Sequence, residues 1–321
     1  MCPQSILVDF DSRLDYLYNL KRLGIKVGLE HTIELLKRCG DPQLQFKSIH
    51  IAGTNGKGST CAIVSSILME AGLKVGLYTS PHLIRFNERI RINGTQIDDD
   101  DIVEFVDSYQ SDIDEIKSTF FETTSAMAFK YFSDKKVDVA VVETGLGGRL
   151  DSTNILSPDL TVITPISLDH REILGEDIIM IGKEKGGIIK KGVPLILAPQ
   201  KEKVRSLLLK LAGVSGSVVN EVDPPTQVVL TESGTEFVAK DLSFKSPLIG
   251  WHQALNSSVA IEAARLFMPG LKKETVDSGL QKVKWPGRLQ QLCPETPLYY
   301  DVAHNVHGLH AILETIRRIF K

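Results

Sequence analysis

The chain has 321 residues, enough for two domains of ordinary size and for a core that needs no disulfide or metal staple. Hydrophobic residues make up 42% and charged residues 24%, with 25 Gly and 14 Pro, which excludes collagen, coiled-coil and intrinsically disordered classes. With 37 basic against 40 acidic residues the net charge is −3, so no overall field draws the chain to nucleic acid or anionic lipid. Cys2, Cys39, Cys61 and Cys293 form no C-x-x-C pair, which suits neither a disulfide framework nor a thiolate zinc site and fits a reducing compartment. Asp9 and Asp11 stand where a signal peptide needs an apolar stretch, and no apolar run approaches the ~18 residues that span a bilayer. A cytoplasmic location is expected.

In chain order, residues 11–39 have helical spacing, with Leu14, Leu17, Leu20 and Leu23 on one stripe, an interruption from Gly24 to Gly28, and the helix-like IELLKRC. After the turn at Gly40-Asp41-Pro42, KSIHIAG reads as a buried strand feeding a loop. STCAIVSSILMEAG reads as a helix of 3.6 periodicity closed by Gly72, and KVGLYTS as a second strand. The four aspartates at 98–101 suit a solvated helix start, where carboxylates meet the positive end of the helix. VDVAVVETG, LTVITPIS and VPLILAP are apolar runs without polar alternation, the pattern of strands buried on both faces of a parallel sheet. From residue 214 the texture changes to short alternating strands and turn residues, a small antiparallel insert, before the helix NSSVAIEAARLFM. KWPGRLQ reads as a hinge, and the remaining residues as one strand and one helix opening a further domain.

The strongest chemical signal is Gly53-Thr54-Asn55-Gly56-Lys57-Gly58-Ser59-Thr60, placed between a predicted strand and a predicted helix. Glycines let backbone N–H groups turn toward phosphate oxygens, the helix N-terminus adds positive potential, Lys57 reaches the terminal phosphates and a hydroxyl suits Mg2+. Gly58 separates Lys57 from Ser59, a departure from the common G-x-x-x-x-G-K-[ST] spacing.

The stretch HIAGTNGKGSTCAIVSSILMEAGLKVGLYTSPHLIRFNERIRING resembles the folylpolyglutamate synthase and dihydrofolate synthase family, within the Mur ligase superfamily. The agreement continues in order through FFETTSAMAF, VVETGLGGRLDSTN, SLDHREILG, IGKEKGGIIKKGVP, HQALNSSVA, WPGRLQ and DVAHN, so it runs from about Leu14 to the C-terminus. It implies an α/β fold with a P-loop and a mostly parallel sheet flanked by helices, the Mur ligase central domain, over 1–290. Residues 291–321 would begin a Rossmann-like glutamate-ligase domain that family members usually continue for longer.

The implied reaction is ATP-dependent: a carboxylate of a pteroate or folate is phosphorylated and the amine of L-glutamate attacks the acyl phosphate. ATP and Mg2+ are the implied cofactors, folate or dihydropteroate and L-glutamate the implied partners, with neither nucleic acid nor membrane, and a monomer is expected. The resemblance assigns nucleotide contacts to Gly53 through Thr60, Asn256, Arg288 and Asp301, and metal ligation to Ser80, Glu143, His170 and Lys185, the last as a carbamate. It gives catalytic roles to Lys57, His170, Lys185, Arg288 and His304. Gly28, Leu29, Glu122, Thr123, Thr124, Arg149 and Asp151 match pteroate-facing elements, with Arg149 the natural partner for an acidic substrate. Val302 and Val306 depart from the glycine and proline usual in the family's DVAHN region. The rival readings are a nucleotide- or folate-binding module impaired in catalysis by truncation of the C-terminal domain and another Mur-type amino-acid ligase; FFETTSAMAF and SPHLIRFNERIRING favour the folate branch.

Overall fold

The computed structural model describes residues 3–24, 28–293 and 295–320. Its centre is an eight-stranded sheet built from β1 (Lys47–Ala52), β2 (Val75–Tyr78), β3 (Ile90–Ile92), β4 (Thr95–Gln96), β5 (Val139–Glu143), β6 (Leu160–Ile163), β7 (Leu195–Leu197) and β8 (Val219–Glu221). The order is β4-β3-β2-β5-β1-β6-β7-β8. Strands β2, β5, β1, β6, β7 and β8 run parallel, and β3 and β4 add an antiparallel edge. Register pairs Ile51 with Glu143 and Ala52 with Ile163, so the C-terminal ends of the three central strands lie side by side. Loops leaving those ends are where an open α/β sheet places its ligands.

Both faces of the sheet are covered, which explains the unbroken apolar strands. Ile49, Ile51, Val139, Val141 and Val162 pack toward the helices Lys57–Glu70 and Trp251–Phe267. Ala140, Val142 and Tyr78 pack on the opposite side with Phe129 and Phe132 of the helix Phe120–Asp134 and Ile102, Phe105 and Val106 of the helix Asp99–Ile116. Successive strand residues point to opposite faces, so a strand with a core on each side has no polar position.

The helix after the P-loop is buried continuously from Gly58 to Leu68, so it lies enclosed rather than presenting the single stripe its sequence suggested. One wall is the helix Lys273–Lys282, where Ser66 Oγ donates to the Gly279 carbonyl (2.7 Å) and a Cβ on Gly279 would lie 2.5 Å from Ile67 Cα. Gly72 closes the helix: its N–H reaches the Met69 carbonyl (2.9 Å) and the Leu73 N–H reaches Leu68 (3.1 Å).

The N-terminal helix runs Pro3–Asn19, a 3-10 turn covers Leu20–Leu23 and a second helix runs Glu30–Arg38. Leu17 and Leu20 are buried, while residues 25–27 of the expected interruption lie outside the described residues, as does Cys2. Cys39, Cys61 and Cys293 are free thiols. In the aspartate run, Asp98 and Asp100 face solvent, but Asp99 takes hydrogen bonds from Arg85 and Asn87 and Asp101 pairs with Lys135 (3.0 Å), so half of it is engaged.

Two expectations for the second half are corrected. The stretch VNE, within the expected insert, joins the main sheet as β8 beside β7; the insert is the antiparallel sheet β9 (Thr226–Thr231), β10 (Gly234–Ala239) and β11 (Leu242–Ser246). Beyond the hinge stands a hairpin rather than a single strand, β12 (Gln290–Cys293) with β13 (Thr296–Tyr300), followed by the helix Val306–Ile319. Thr315 is the residue that last helix buries among the described residues. No helix of the described residues is long and apolar enough to cross a membrane.

Candidate functional site

The P-loop leaves β1 at Gly53, whose φ of +151° and position against Thr164 exclude a side chain: a Cβ would lie 1.8 Å from Thr164 Oγ1. Gly56, at φ +87°, starts the helix Lys57–Glu70, and a Cβ there would lie 2.2 Å from Asn256 Oδ1. Between them the chain is stitched to the loop after β6. The N–H groups of Thr54 and Asn55 both reach the Pro165 carbonyl (3.1 and 3.3 Å), Thr54 Oγ1 donates to the Ser167 carbonyl (3.0 Å) and Asn55 Nδ2 donates to Ser167 Oγ (3.1 Å). These two amides are therefore committed within the protein, and the donors left for an anion are those of the first helical turn, which have no intrahelical partner.

A charge cluster lies beneath. Glu143, ending β5, is 4% exposed, with Lys57 Nζ 3.8 Å from Oε1 and the Ser80 N–H donating to Oε2 (3.1 Å). Burial pushes its carboxyl above the usual carboxylate range against the pull of Lys57. Lys185, on the helix Ile178–Gly186, is as buried, and its Nζ donates to the Gly53 carbonyl (2.7 Å). Desolvation, with the nearby Lys57 charge added, lowers its ammonium to about 7.

Above the cluster is a cavity of about 1180 Å3 lined by residues of all these elements and by the segment beyond the hinge. Of the residues the sequence singled out, Thr54 to Ser59, Ser80, Glu143, His170, Lys185, Asn256, Arg288, Asp301 and His304 line it. Gly53 lies just below as the acceptor of Lys185, and Thr60 is fully buried with no partner for its hydroxyl. Asn256 is held by a bond from Nδ2 to Gln253 Oε1 (3.1 Å). Arg288 donates to the Gly287 carbonyl (2.9 Å), while the Asp301 carboxylate accepts from the Leu289 and Ala303 N–H groups (2.7 and 2.8 Å) and so shapes the hinge. Val302 packs over Gly287, whose added Cβ would stand 2.9 Å from Val302 Cγ1.

The pteroate-facing set does not line this cavity. Glu122 accepts from the Thr119 N–H at the start of its own helix (2.7 Å) and sits 3.9 Å from His31 Nδ1. Thr123 and Thr124 are fully buried, with Tyr78 OH 3.1 Å from Thr124 Oγ1. Arg149 is exposed and paired with Glu184 (3.0 Å); Asp151 caps the turn Ser152–Ile155 and accepts from the Leu146 N–H (2.8 Å). Gly28 and Leu29 lead into the second helix. Through Asp151 this group still fixes the loop Gly145-Leu146-Gly147, which does line the cavity.

Some residues in or beside the cavity carried no assignment from the sequence. Asn305 donates to Asn55 Oδ1 (3.0 Å) and to Asp169 Oδ2 (3.3 Å), and His307 Nδ1 lies 3.3 Å from Asn55 Nδ2, so the segment after the hinge is tied to the P-loop. Trp285 and His252 each bury a ring nitrogen without a partner in the same cavity, and burial lowers the His252 imidazole to about 4, keeping it neutral. Trp285, His252 and Asn305 sit inside WPGR, HQALN and DVAHN, and that membership was the available signal.

A parallel sheet with a phosphate loop, a buried carboxylate and two lysines at its strand ends defines a P-loop α/β nucleotide enzyme. Residues 51–264 match the Mur ligase middle domain. The chain is 37% identical to the dihydrofolate synthase/folylpolyglutamate synthase of Bacillus subtilis, over 95% of this chain and 75% of that one. Its fold matches a Mycobacterium tuberculosis folylpolyglutamate synthase complexed with ADP and AMPPCP (TM-score 0.90, 32% identity, 96% of this chain and 74% of that one). It also matches a structure described as an FPGS-AMPPCP-folate complex (TM-score 0.91, 32% identity, 96% and 80%). The chain belongs to the folylpolyglutamate synthase/dihydrofolate synthase family of Mur ligases.

A lysine whose native pKa is depressed binds fewer protons than the unfolded chain between the two values, so its contribution to stability rises with pH from about 7 to the unfolded value of ~10.4. Lys185→Met is expected to flatten this rise relative to wild type in urea unfolding measured in CO2-free buffers; equal slopes would show that the ammonium is not destabilised.

Proposed function

We propose that this chain is an ATP-dependent amide ligase that joins L-glutamate to a folate, to dihydropteroate, or to both. The observation that carries the reading is the cluster of Lys57, Glu143 and Lys185 at the strand ends, under a cavity large enough for a nucleotide. The AMPPCP and folate named for the matched structures are the corresponding nucleotide and substrate class.

In this reading the first-turn N–H groups, Lys57 and Arg288 surround the ATP phosphates. Phosphoryl transfer is accelerated by such positioning and charge stabilisation, with little covalent work for the protein. A substrate carboxylate oxygen takes the terminal phosphoryl group as ADP leaves. The glutamate amine then attacks the acyl carbon, loses a proton and expels phosphate. Asn256 bears on the nucleotide, Asp301 and His304 on its far side, and the folate lies toward the loop that Asp151 fixes. The chemistry of the donors suits Mg2+: Glu143 and Ser80 offer hard oxygens, and a buried carboxylate raised in pKa is a group that a cation stabilises. The metal supplies charge neutralisation at the phosphates. Lys185 and His170 are its remaining assigned neighbours, Lys185 as a carbamate: its neutral amine adds to CO2, a C–N bond forms and a proton departs, turning a repelled cation into an anionic ligand. Residues 1–290 form the nucleotide-binding domain here, and the hairpin and helix from 291 begin the glutamate-ligase domain.

ADP release in the presence of Mg2+, ATP and a reduced folate or dihydropteroate is expected to depend on L-glutamate. Lys57→Ala is expected to lower kcat by about 100-fold or more while leaving the circular dichroism spectrum intact. Glutamate-independent release, or wild-type turnover in the variant, would contradict the assignment. Lys185→Ala activity is expected to recover in part with added acetate and Lys185→Arg activity not at all; a fully active Lys185→Arg would remove the carbamate.

A further inference from the structure

A histidine lies inside the sheet where two-sided burial otherwise selects apolar side chains. His50, in the middle of β1, is fully buried and pairs in register with Val142 of β5 and Thr161 of β6. It shares the face of Val142, opposite to Ile49 and Ile51, and from there its Nε2 reaches Thr153 Oγ1 (2.8 Å) in the turn Ser152–Ile155. The Thr153 hydroxyl gives its single proton to Asp151 Oδ1 (2.5 Å). His50 Nε2–H therefore donates to the Thr153 oxygen, and Nδ1 keeps a bare lone pair, the buried ring atom that has no partner. Burial lowers the imidazole to about 3, so it stays neutral and this tautomer persists.

The chain of bonds ends at the cavity. Asp151 Oδ1 also accepts from the Thr153 N–H (3.0 Å), and the carboxylate accepts from the Leu146 N–H (2.8 Å, at Oδ2) and the Gly145 N–H. Residues 145–147 line the cavity, and Gly145 has no room for a side chain, because a Cβ would lie 2.2 Å from the Phe121 ring. The loop is thus pinned by a ring and by a carboxylate whose own orientation is set from inside the sheet. An aliphatic residue at position 50 would fill the core without the cost of burying a polar ring, so packing alone does not account for a histidine there. We propose that His50 is a positioning residue for the pterin-bearing substrate: through Thr153 it orients Asp151, and Asp151 holds the loop 145–147 in the shape against which that substrate lies. The proposal rests on the ligase reading for the identity of the substrate, and adds to it a residue that lies outside the cavity. The imidazole acts by fixing the rotation of the Thr153 hydroxyl, which keeps the hydroxyl proton on the carboxylate.

The test measures two affinities by calorimetry: AMPPCP with Mg2+ on the free chain, then tetrahydrofolate or dihydropteroate on the AMPPCP-loaded chain. His50→Leu and Thr153→Val each cut the relay. Each is expected to weaken binding of the pterin ligand by about fivefold to tenfold, while AMPPCP affinity stays within about twofold of wild type. Because both variants break one chain, the double variant is expected to lose no more than the larger single loss. His50→Gln, whose amide can still donate, is expected to recover part of the affinity. In the wild type, the 15N spectrum of His50 is expected to show the Nε2–H tautomer, unchanged from about pH 5 to 8. Thermal unfolding establishes which variants are folded, and either single variant alone decides the question if the other does not fold. Wild-type pterin affinity in a folded single variant, a parallel loss of AMPPCP affinity, additive losses in the double variant, or an Nδ1–H tautomer would each overturn the proposal. A wild-type chain that binds AMPPCP and neither pterin ligand would instead overturn the ligase reading, and the proposal with it.

Discussion

Everything at the strand ends is arranged around one electrostatic constraint: Glu143 and Lys185 are withdrawn from water, with Lys57 half-buried beside them, within a few ångströms of the P-loop backbone. Taking charges out of water costs several kcal/mol per ion unless partners compensate. Here one carboxylate faces two ammonium groups, Lys57 at 3.8 Å and Lys185 bound to the Gly53 carbonyl. Burial raises the carboxyl and lowers the Lys185 amine, each toward its neutral form, which is the signature of a cluster short of counter-charge. An anion with a bound divalent cation completes such a set. Perturbed groups of this kind concentrate where chemistry is done.

The fold supplies the precision. Parallel pairing in fixed register brings Ala52, Glu143 and Ile163 to one line, and cores on both faces hold the strands. The enclosed P-loop helix, braced by Gly279 against Ile67, cannot drift relative to that line. The segment beyond the hinge is a contrast: its helix buries little, and it reaches the site through discrete polar bonds, Asn305 to Asn55 and Asp301 to the hinge amides. Few buried apolar contacts and a handful of directional bonds describe an element that can open at low cost and close on a ligand.

How much of this was legible follows from where each signal resides. The P-loop could be read because its chemistry is local: glycines, a lysine and a strand-to-helix context fall within eight residues. The central strands could be read because two-sided burial leaves unbroken apolar runs. β8 was misplaced because three residues, partly exposed at the sheet edge, carry no such pattern. Motif membership did not separate residues that face the cavity from residues that build its wall: Thr123 and Thr124 lie in the core, and Asp151 spends its oxygens on the backbone. The tie between Asn55 and Asn305 joins residues far apart in the chain, and no spacing rule reports it.

The most direct test of the charge argument is calorimetric binding of AMPPCP, with and without Mg2+, to wild type and to Glu143→Gln. Removing the buried carboxylate removes the metal's anchor but leaves Lys57, Arg288 and the first-turn N–H groups for phosphate. The account predicts that Mg2+ strengthens binding to wild type and no longer does so in Glu143→Gln, while metal-free affinity is kept or improved. An equal Mg2+ effect in both proteins, or loss of metal-free binding in the variant, would contradict it.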